Sequence, residues 1–275
     1  MSYETIRLDC QDAGSGQEGK IAWLTLNRPE TANAFDASML KDLSDVFRLL
    51  ETEENCRALV IRGEGKHFSG GADLNWMKAS AGLSHEENLR EARKMSEMFE
   101  RLYRLPFPTI ALIHGAAYGG ATGLTACCDI AIADKKARFC LSEVRLGILP
   151  AVILPYLSLK MRYSSLQRLS MTARPFSGKD ARKAGLVEIC CDQSEFSEVL
   201  KEELNGILGA GPLALKRLKS LQQSVSSRLM ECQTLACETI ADVRSGAEAS
   251  EGFSAFFAKK SPSWVSKVET LAELN

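Results

Sequence analysis

The stretch AYGGATGLTACCD (117–129) sets two adjacent glycines, Gly119 and Gly120, ahead of a run of small and apolar residues that closes on Asp129. If TIALIHG (109–115) is a strand and GLTACCD lies on a helix, the glycines sit where that helix begins. Unpaired backbone N–H groups and the positive end of the helix dipole meet there, and such a place holds negative charge. HFSGGADL (67–74) carries a second glycine pair after another strand, which would present the N–H of Ala72 in the same manner. Two N–H groups from separate loops, aimed at one point, make an oxyanion hole; each pair read alone is equally consistent with a tight turn. Neither spacing fits G-x-x-x-x-G-K-[ST] or G-x-G-x-x-G, so phosphate-cradle readings drop out.

Other residues that could do chemistry are few. His67, His85 and His114 are the only imidazoles, and His114, at a strand exit, reads as a hydrogen-bonded structural group. Cys127 and Cys128 lie in an apolar helix, where inert buried thiols are the usual case. No histidine pair has ligand spacing, so neither a metal nor a redox cofactor is expected.

Positioning such groups takes a core, and 275 residues, 45% of them hydrophobic, can bury one. IAWLTLNRP (21–29), RALVIRGEG (57–65) and TIALIHG read as strands, and IAIADKKARFCLSE (130–143) as two short strands around a charged turn. SHEENLREARKMSEMFERLYRL (84–105) reads as a helix. It opens on Ser84 and Glu87 at capping-box spacing, and Leu89, Ala92, Met95, Met98, Phe99 and Leu102 share one face. DASMLKDLSDVFRLLETEEN (36–55) is another helix, more acidic than basic. Beyond about residue 196 only helical patterns remain. The class is therefore mixed α/β, with residues 1–196 as core and 197–275 as a helical C-terminal region.

Thirty-four basic and thirty-five acidic residues leave a formal charge of −1, which gives no overall pull toward nucleic acid or an anionic bilayer. No apolar run reaches membrane-spanning length. The polar, acidic N-terminus has the character of neither a signal peptide nor an organellar presequence. Nine scattered cysteines without CxxC argue against a disulfide framework and against a zinc knuckle, and a cytoplasmic location is expected.

Taken in order, LNRPETANAFDASML (26–40), FSGGADLNWM (68–77), IHGAAYGGATGLTACCDIAIADKKARFCLSEVRLGILP (113–150) and FSGKDARKAGLVEIC (176–190) resemble the successive blocks of the crotonase, or enoyl-CoA hydratase/isomerase, superfamily. EGFSAFFAKKSPSW (251–264) resembles the family's ending. The resemblance implies a spiral of strand–strand–helix turns and a helical C-terminal region that builds homotrimers or homohexamers. It also implies an acyl-CoA thioester as ligand, with CoA arriving as part of the substrate and no separate cofactor. Ala72 and Gly120 fall on the two oxyanion N–H positions, and Glu143 on an acid–base glutamate. Asn33, Ala34, Phe35, Gly71, Asp73, Leu74 and Gly119 fall along the CoA and substrate path, with Lys259 and Lys260 as candidate contacts to CoA phosphates.

One family position departs. The first of the two glutamates common in hydratases is here Gly123, and the space it frees is expected to take a substrate carboxylate or a water that the carboxylate orders. Arg145, two residues from Glu143, would face the same side of an extended segment and meet that carboxylate, but a basic residue is ordinary at this family position, and a structural salt bridge is the leading reading. GGATGLTACCDIAIA joined to CLSEVRLGILPAVILPYL resembles the methylglutaconyl-CoA hydratase group and its γ-carboxygeranoyl-CoA relatives. A hydratase of a branched or carboxylated acyl-CoA, in particular 3-methylglutaconyl-CoA of leucine breakdown, is the leading expectation. A Δ3,Δ2-enoyl-CoA isomerase working through Glu143 alone is the alternative, and a non-catalytic CoA- or RNA-binding protein the third reading. Trp76, Met77, Val152, Ile153 and Tyr156 would shape the acyl pocket in ways that periodicity cannot place.

Overall fold

The computed structural model of the chain describes residues 3–13, 19–80, 82–225 and 229–262. In chain order the elements are β1 (Ile6–Asp12), β2 (Lys20–Leu26), α1 (Ala37–Glu51), β3 (Cys56–Gly63), α2 (Leu74–Ser80), α3 (His85–Arg104), β4 (Thr109–Ile113), β5 (Ala116–Tyr118) and α4 (Gly120–Cys127). Then come β6 (Ile130–Asp134), β7 (Arg138–Cys140), α5 (Leu154–Lys160), α6 (Tyr163–Thr172), β8 (Phe176–Ser177), α7 (Gly178–Ala184) and β9 (Ile189–Cys191). The chain continues through α8 (Phe196–Leu208), α9 (Pro212–Val225), α10 (Leu229–Arg244) and α11 (Ala247–Phe257).

The central sheet has the order β1-β2-β3-β4-β6-β9, antiparallel between β1 and β2 and parallel elsewhere. Its inner strands are buried on both faces, as a parallel sheet covered by helices must be. Alternation divides their side chains. Leu24, Leu59, Ile61, Ala111 and Ile113 join the main core with α1, α3 and α4, while Ile21, Val60, Ile110 and Ile132 pack on the other face against Leu200, Leu204 and Ile207 of α8.

A second ladder runs beside the sheet, and it makes the spiral. After each central strand the chain gives a short extended piece that pairs with the corresponding piece of the next turn. Phe35 bridges to Ala72, Ser69 to Ala117, β5 pairs with β7, and β7 with β8. Strand, short strand and helix thus repeat, as the spiral α/β fold class requires.

Local chemistry explains the helix starts. Asp36 caps α1 by accepting from Met39 N–H at 2.8 Å, and Ser84 with Glu87 forms the expected capping box of α3. The helices that end the chain do not stand apart from the core. Lys219 of α9 is buried, and its ammonium donates to Phe107 O at 3.0 Å and Asp129 Oδ2 at 2.6 Å. Asp129 also accepts from the N–H of Thr109, so α9 is tied to the entry of β4. Among the described residues no helix is long and apolar enough to cross a membrane, and no His/Cys/Asp/Glu group could hold a metal ion.

Candidate active site

The two glycine pairs meet because they occupy successive turns of the spiral. Residues 68–70 are laid alongside β5: Phe68 N–H donates to His114 O and Ser69 N–H to Ala116 O, both at 2.9 Å, and Tyr118 N–H donates back to Ser69 O at 3.2 Å. The loop at Phe35 clasps the same segment from its other side, with Phe35 N–H donating to Gly71 O at 2.7 Å and Asp73 N–H to Phe35 O at 2.8 Å. Ala72, between these bonds, donates to no protein acceptor among the described residues, and neither does Gly120 at the first position of α4. Both border one cleft of about 580 Å³ together with Phe35, Gly71, Leu74 and Gly119.

Gly119 lets this happen. Its φ of 51° is in the left-handed region, and a side chain there would stand 3.3 Å from Glu143 Oε1. Gly120 has a second constraint: a Cβ would rest 3.4 Å from the ring of Phe35, so the approach to its N–H is already narrow.

Glu143 begins a 3₁₀ turn, Glu143–Leu146, that leaves the end of β7. Its Oε2 is buried without a hydrogen-bond partner, and burial pushes the carboxyl up to about 7. It is the single acidic residue among the described residues that line the cleft, against the cations Arg145, Arg244 and Lys260. A carboxyl near neutrality, in a dry place beside two free N–H donors, can take up a proton and give it back at ordinary pH.

Several expectations need correction. Gly123 does not line the cleft: a Cβ there would overlap the side chain of Ile153 and press on Phe99 at 3.1 Å. The space that the missing side chain leaves is filled by hydrocarbon, so it receives neither a carboxylate nor a water. Asn33 is also scaffold, with a left-handed φ of 53° and a fully spent amide. Its Oδ1 accepts from Arg28 N–H at 2.8 Å, and its Nδ2 donates to Glu64 O at 2.9 Å and His67 O at 2.8 Å. Ala34 and Asp73 are buried outside the lining as well. Arg28 donates to Ala34 O and pairs with Asp73, whose other oxygen caps the start of α2 at Asn75 N–H. The sequence pattern located the loop correctly, but the side chains inside it hold its shape.

Arg145 differs for a geometric reason. At three residues per turn, positions two apart in a 3₁₀ turn diverge, so Arg145 is exposed while the carboxylate oxygen of Glu143 is buried. His114 Nε2 lies 2.9 Å from Gly65 O, and His67 Nδ1 accepts from Ala116 N–H at 3.1 Å, so both rings serve the scaffold. Burial raises both Cys127 and Cys128, the latter to about 12, which leaves them unreactive. Lys260 borders the cleft, Lys259 does not, and Trp264 lies outside the described residues. Trp76, Met77, Val152 and Ile153 line the cleft; Tyr156 is fully buried behind it, bonded to Gln233.

Beyond Lys260, the sequence reading missed what the two helices before it contribute. Ile240 and Arg244 of α10 and Phe253 and Phe256 of α11 also form the wall. No local signal marks them, because only the packing of α10 along α3 brings them there.

A family model described as enoyl-CoA hydratase/isomerase matches residues 16–267. A short-chain-enoyl-CoA hydratase of Clostridium acetobutylicum is 34% identical over 222 residues, which cover 78% of this chain and 81% of that protein. A peroxisomal Δ(3,5)-Δ(2,4)-dienoyl-CoA isomerase of Arabidopsis thaliana is 29% identical, covering 80% of this chain and 82% of its own. The crystal structure of an enoyl-CoA hydratase from Shewanella pealeana superposes with a TM-score of 0.75 at 36% identity, covering 94% of this chain and 95% of the other.

Proposed function

The chain belongs to the enoyl-CoA hydratase/isomerase family, and from that premise we propose that it hydrates the 2,3 double bond of a branched, carboxylated acyl-CoA, or dehydrates the product, with 3-methylglutaconyl-CoA as the first substrate to try. The observation that carries this reading is one carboxylate with a buried, unpartnered oxygen that shares a cleft with two unspent backbone N–H groups.

On this reading the thioester oxygen accepts from Ala72 N–H and Gly120 N–H. Glu143, ionised, takes a proton from a water, and the resulting hydroxide adds to C3. Electron density moves onto the thioester oxygen as an enolate, which the two fixed donors stabilise by several kcal/mol. The enolate then collapses, and C2 takes the proton from Glu143, which returns to its starting state. A carboxyl poised near 7 suits both halves of the cycle, because it is neither too weak a base nor too weak an acid.

The single carboxylate also supports a second reading, the Δ3,Δ2-isomerase, in which Glu143 moves one proton between carbons and no water adds. The dienoyl-CoA isomerase among the relatives favours keeping it. On either reading residues 1–196 supply the oxyanion donors and the acid–base carboxyl, α10 and α11 of the helical region 197–275 complete the pocket wall, that region also assembles homotrimers or homohexamers, and no separate cofactor is needed. The exposed Leu213, Leu218, Leu221 and Leu235 on α9 and α10 support that assembly.

The test follows enoyl-thioester absorbance with 3-methylglutaconyl-CoA, crotonyl-CoA and a 3-enoyl-CoA, each against wild type and Glu143→Gln. Loss of signal fastest with the carboxylated substrate and dependent on Glu143 is expected. Growth of signal from the 3-enoyl substrate alone would replace the hydratase reading with the isomerase.

A further inference from the structure

Four buried side-chain polar atoms lack a hydrogen-bond partner among the described residues: Trp76 Nε1, Asn88 Oδ1, Glu143 Oε2 and Arg244 Nε. Three of the four residues line the same cleft. Natural folds rarely leave such groups unmet, since a buried polar atom without a partner loses its hydration and gains nothing in return. The chemistry above uses Glu143 and leaves Trp76 and Arg244 without a role.

These two belong to one corner. Trp76 and Ser80 are one helical turn apart on α2, so they share a face. Ser80 Oγ donates to Glu91 Oε2 of α3 at 3.2 Å, and Arg244 Nη1 of α10 stands 3.8 Å from that same oxygen. Met95, Ile240 and Phe253 supply apolar wall nearby in the same cleft. At 3.8 Å the Arg244–Glu91 pair is at the outer limit of an ion pair, and Ser80 holds the carboxylate oxygen on its other side. The Nε edge of the guanidinium is left over. Burial pulls the Arg244 pKa below its ordinary value, with Glu91 opposing, which shows how little solvent or counter-charge the group has.

Both unspent atoms are donors only, so what they lack is an acceptor. Of the two orphaned acceptors, Asn88 Oδ1 is outside the cleft lining and Glu143 Oε2 is taken up by the chemistry above. The other cations of the cleft, Arg145 and Lys260, are exposed to solvent; the side chain of Arg244 is only 15% exposed. A carboxylate has the geometry for the edge of a guanidinium and spare lone pairs for an indole N–H.

We propose that Arg244 and Trp76 form an anion-receiving corner of the acyl pocket, which binds a carboxylate carried on the acyl chain beyond the double bond. The proposal rests on the acyl-CoA reading of the cleft and adds to it the residues that select the substrate class. Glu91 keeps the empty guanidinium in place, and the incoming carboxylate meets the Nε edge that faces away from it.

The test measures binding without turnover. Glutaryl-CoA and butyryl-CoA are saturated thioesters that differ at the chain end by a carboxylate, and their affinities for the full chain are read by calorimetry. Wild type is expected to prefer glutaryl-CoA. Arg244→Met should reduce the glutaryl-to-butyryl preference by at least about tenfold, the scale of a charge-assisted hydrogen bond lost. Trp76→Phe keeps the ring and removes the N–H, and should reduce it a few-fold. A purely structural Arg244 would weaken both ligands alike, so an unchanged preference in Arg244→Met overturns the proposal. If that variant does not fold, as circular dichroism would show, an unchanged preference in Trp76→Phe overturns it instead. If butyryl-CoA does bind wild type and glutaryl-CoA binds no better, the corner is refuted and the acyl-CoA reading stands; if neither binds, both fall.

Discussion

The two ends of the cleft are built by opposite means. At one end Ala72, Gly119, Gly120 and Glu143 come from consecutive turns of the spiral, and most of the working atoms are main-chain N–H groups fixed by a ladder of short bridges. At the other end Trp76 and Arg244 are side chains from two helices, backed by Glu91 of a third, and helix packing with the contacts of Glu91 to Ser80 and Arg244 sets their spacing. The first arrangement is inseparable from the fold, so it suits chemistry common to many acyl groups. The second can be changed one side chain at a time, which suits selection among them.

Variants at each end should therefore fail differently. The largest effect is expected from Glu143→Gln, which removes the only carboxylate that lines the cleft among the described residues; kcat/KM in the absorbance assay should fall by about 10²–10⁴-fold with every enoyl thioester, the usual weight of a positioned acid–base group. The wild-type kcat/KM for hydration should itself decline as pH drops through about 7, because the base must be ionised. A profile flat between pH 5 and 8 would detach Glu143 from the chemistry.

Next in size are two changes to the scaffold of the catalytic end, read by urea unfolding. Asn33→Ala strips three hydrogen bonds from a buried turn and should cost about 1–3 kcal/mol. Gly123→Ala forces a methyl into Ile153 and should also cost about 1–3 kcal/mol by overpacking, with much of the loss recovered when Ile153→Ala is added. An additive double variant would mean that Ile153 does not fill the space at Gly123.

The smallest expected effect is thermal. Folded protein keeps the Glu143 proton up to about 7, whereas the unfolded chain releases it near 4.5, so stability falls as pH rises across that window. Glutamine has no proton to lose. The Tm of Glu143→Gln should thus exceed that of wild type by a few degrees above pH 7, and the gap should close below about pH 4.5.

The same contrast explains what was legible in the sequence. β2, β3, β4, β6 and α3 could be read because alternation, a capping box and a proline stop are local signals. The edge strand β1 could not, since its exposed positions are polar and charged, and β5, β8 and β9 are two or three residues long, too short for any period to show. The glycine pairs were readable as N–H donors because their chemistry is main-chain. Asn33 and Asp73 were placed on the ligand path because a motif marks a loop and does not say which of its side chains point inward to hold it. Gly123 was misread for a similar reason: Ile153, thirty residues on, fills its space from another helix's start. Arg244 carried no signal at all.

One further consequence concerns synthesis. The cleft wall draws on the chain from Phe35 to Pro262, with α10 and α11 completing it beyond α9, which Lys219 ties to the start of β4. A nascent chain made only as far as α9 holds the segments of the spiral and both glycine turns, yet it lacks the wall that α10 and α11 supply. Ligand affinity therefore depends on helices that follow the spiral in the chain, and bound acyl-CoA should protect α10 and α11 from hydrogen exchange more than it protects the central sheet.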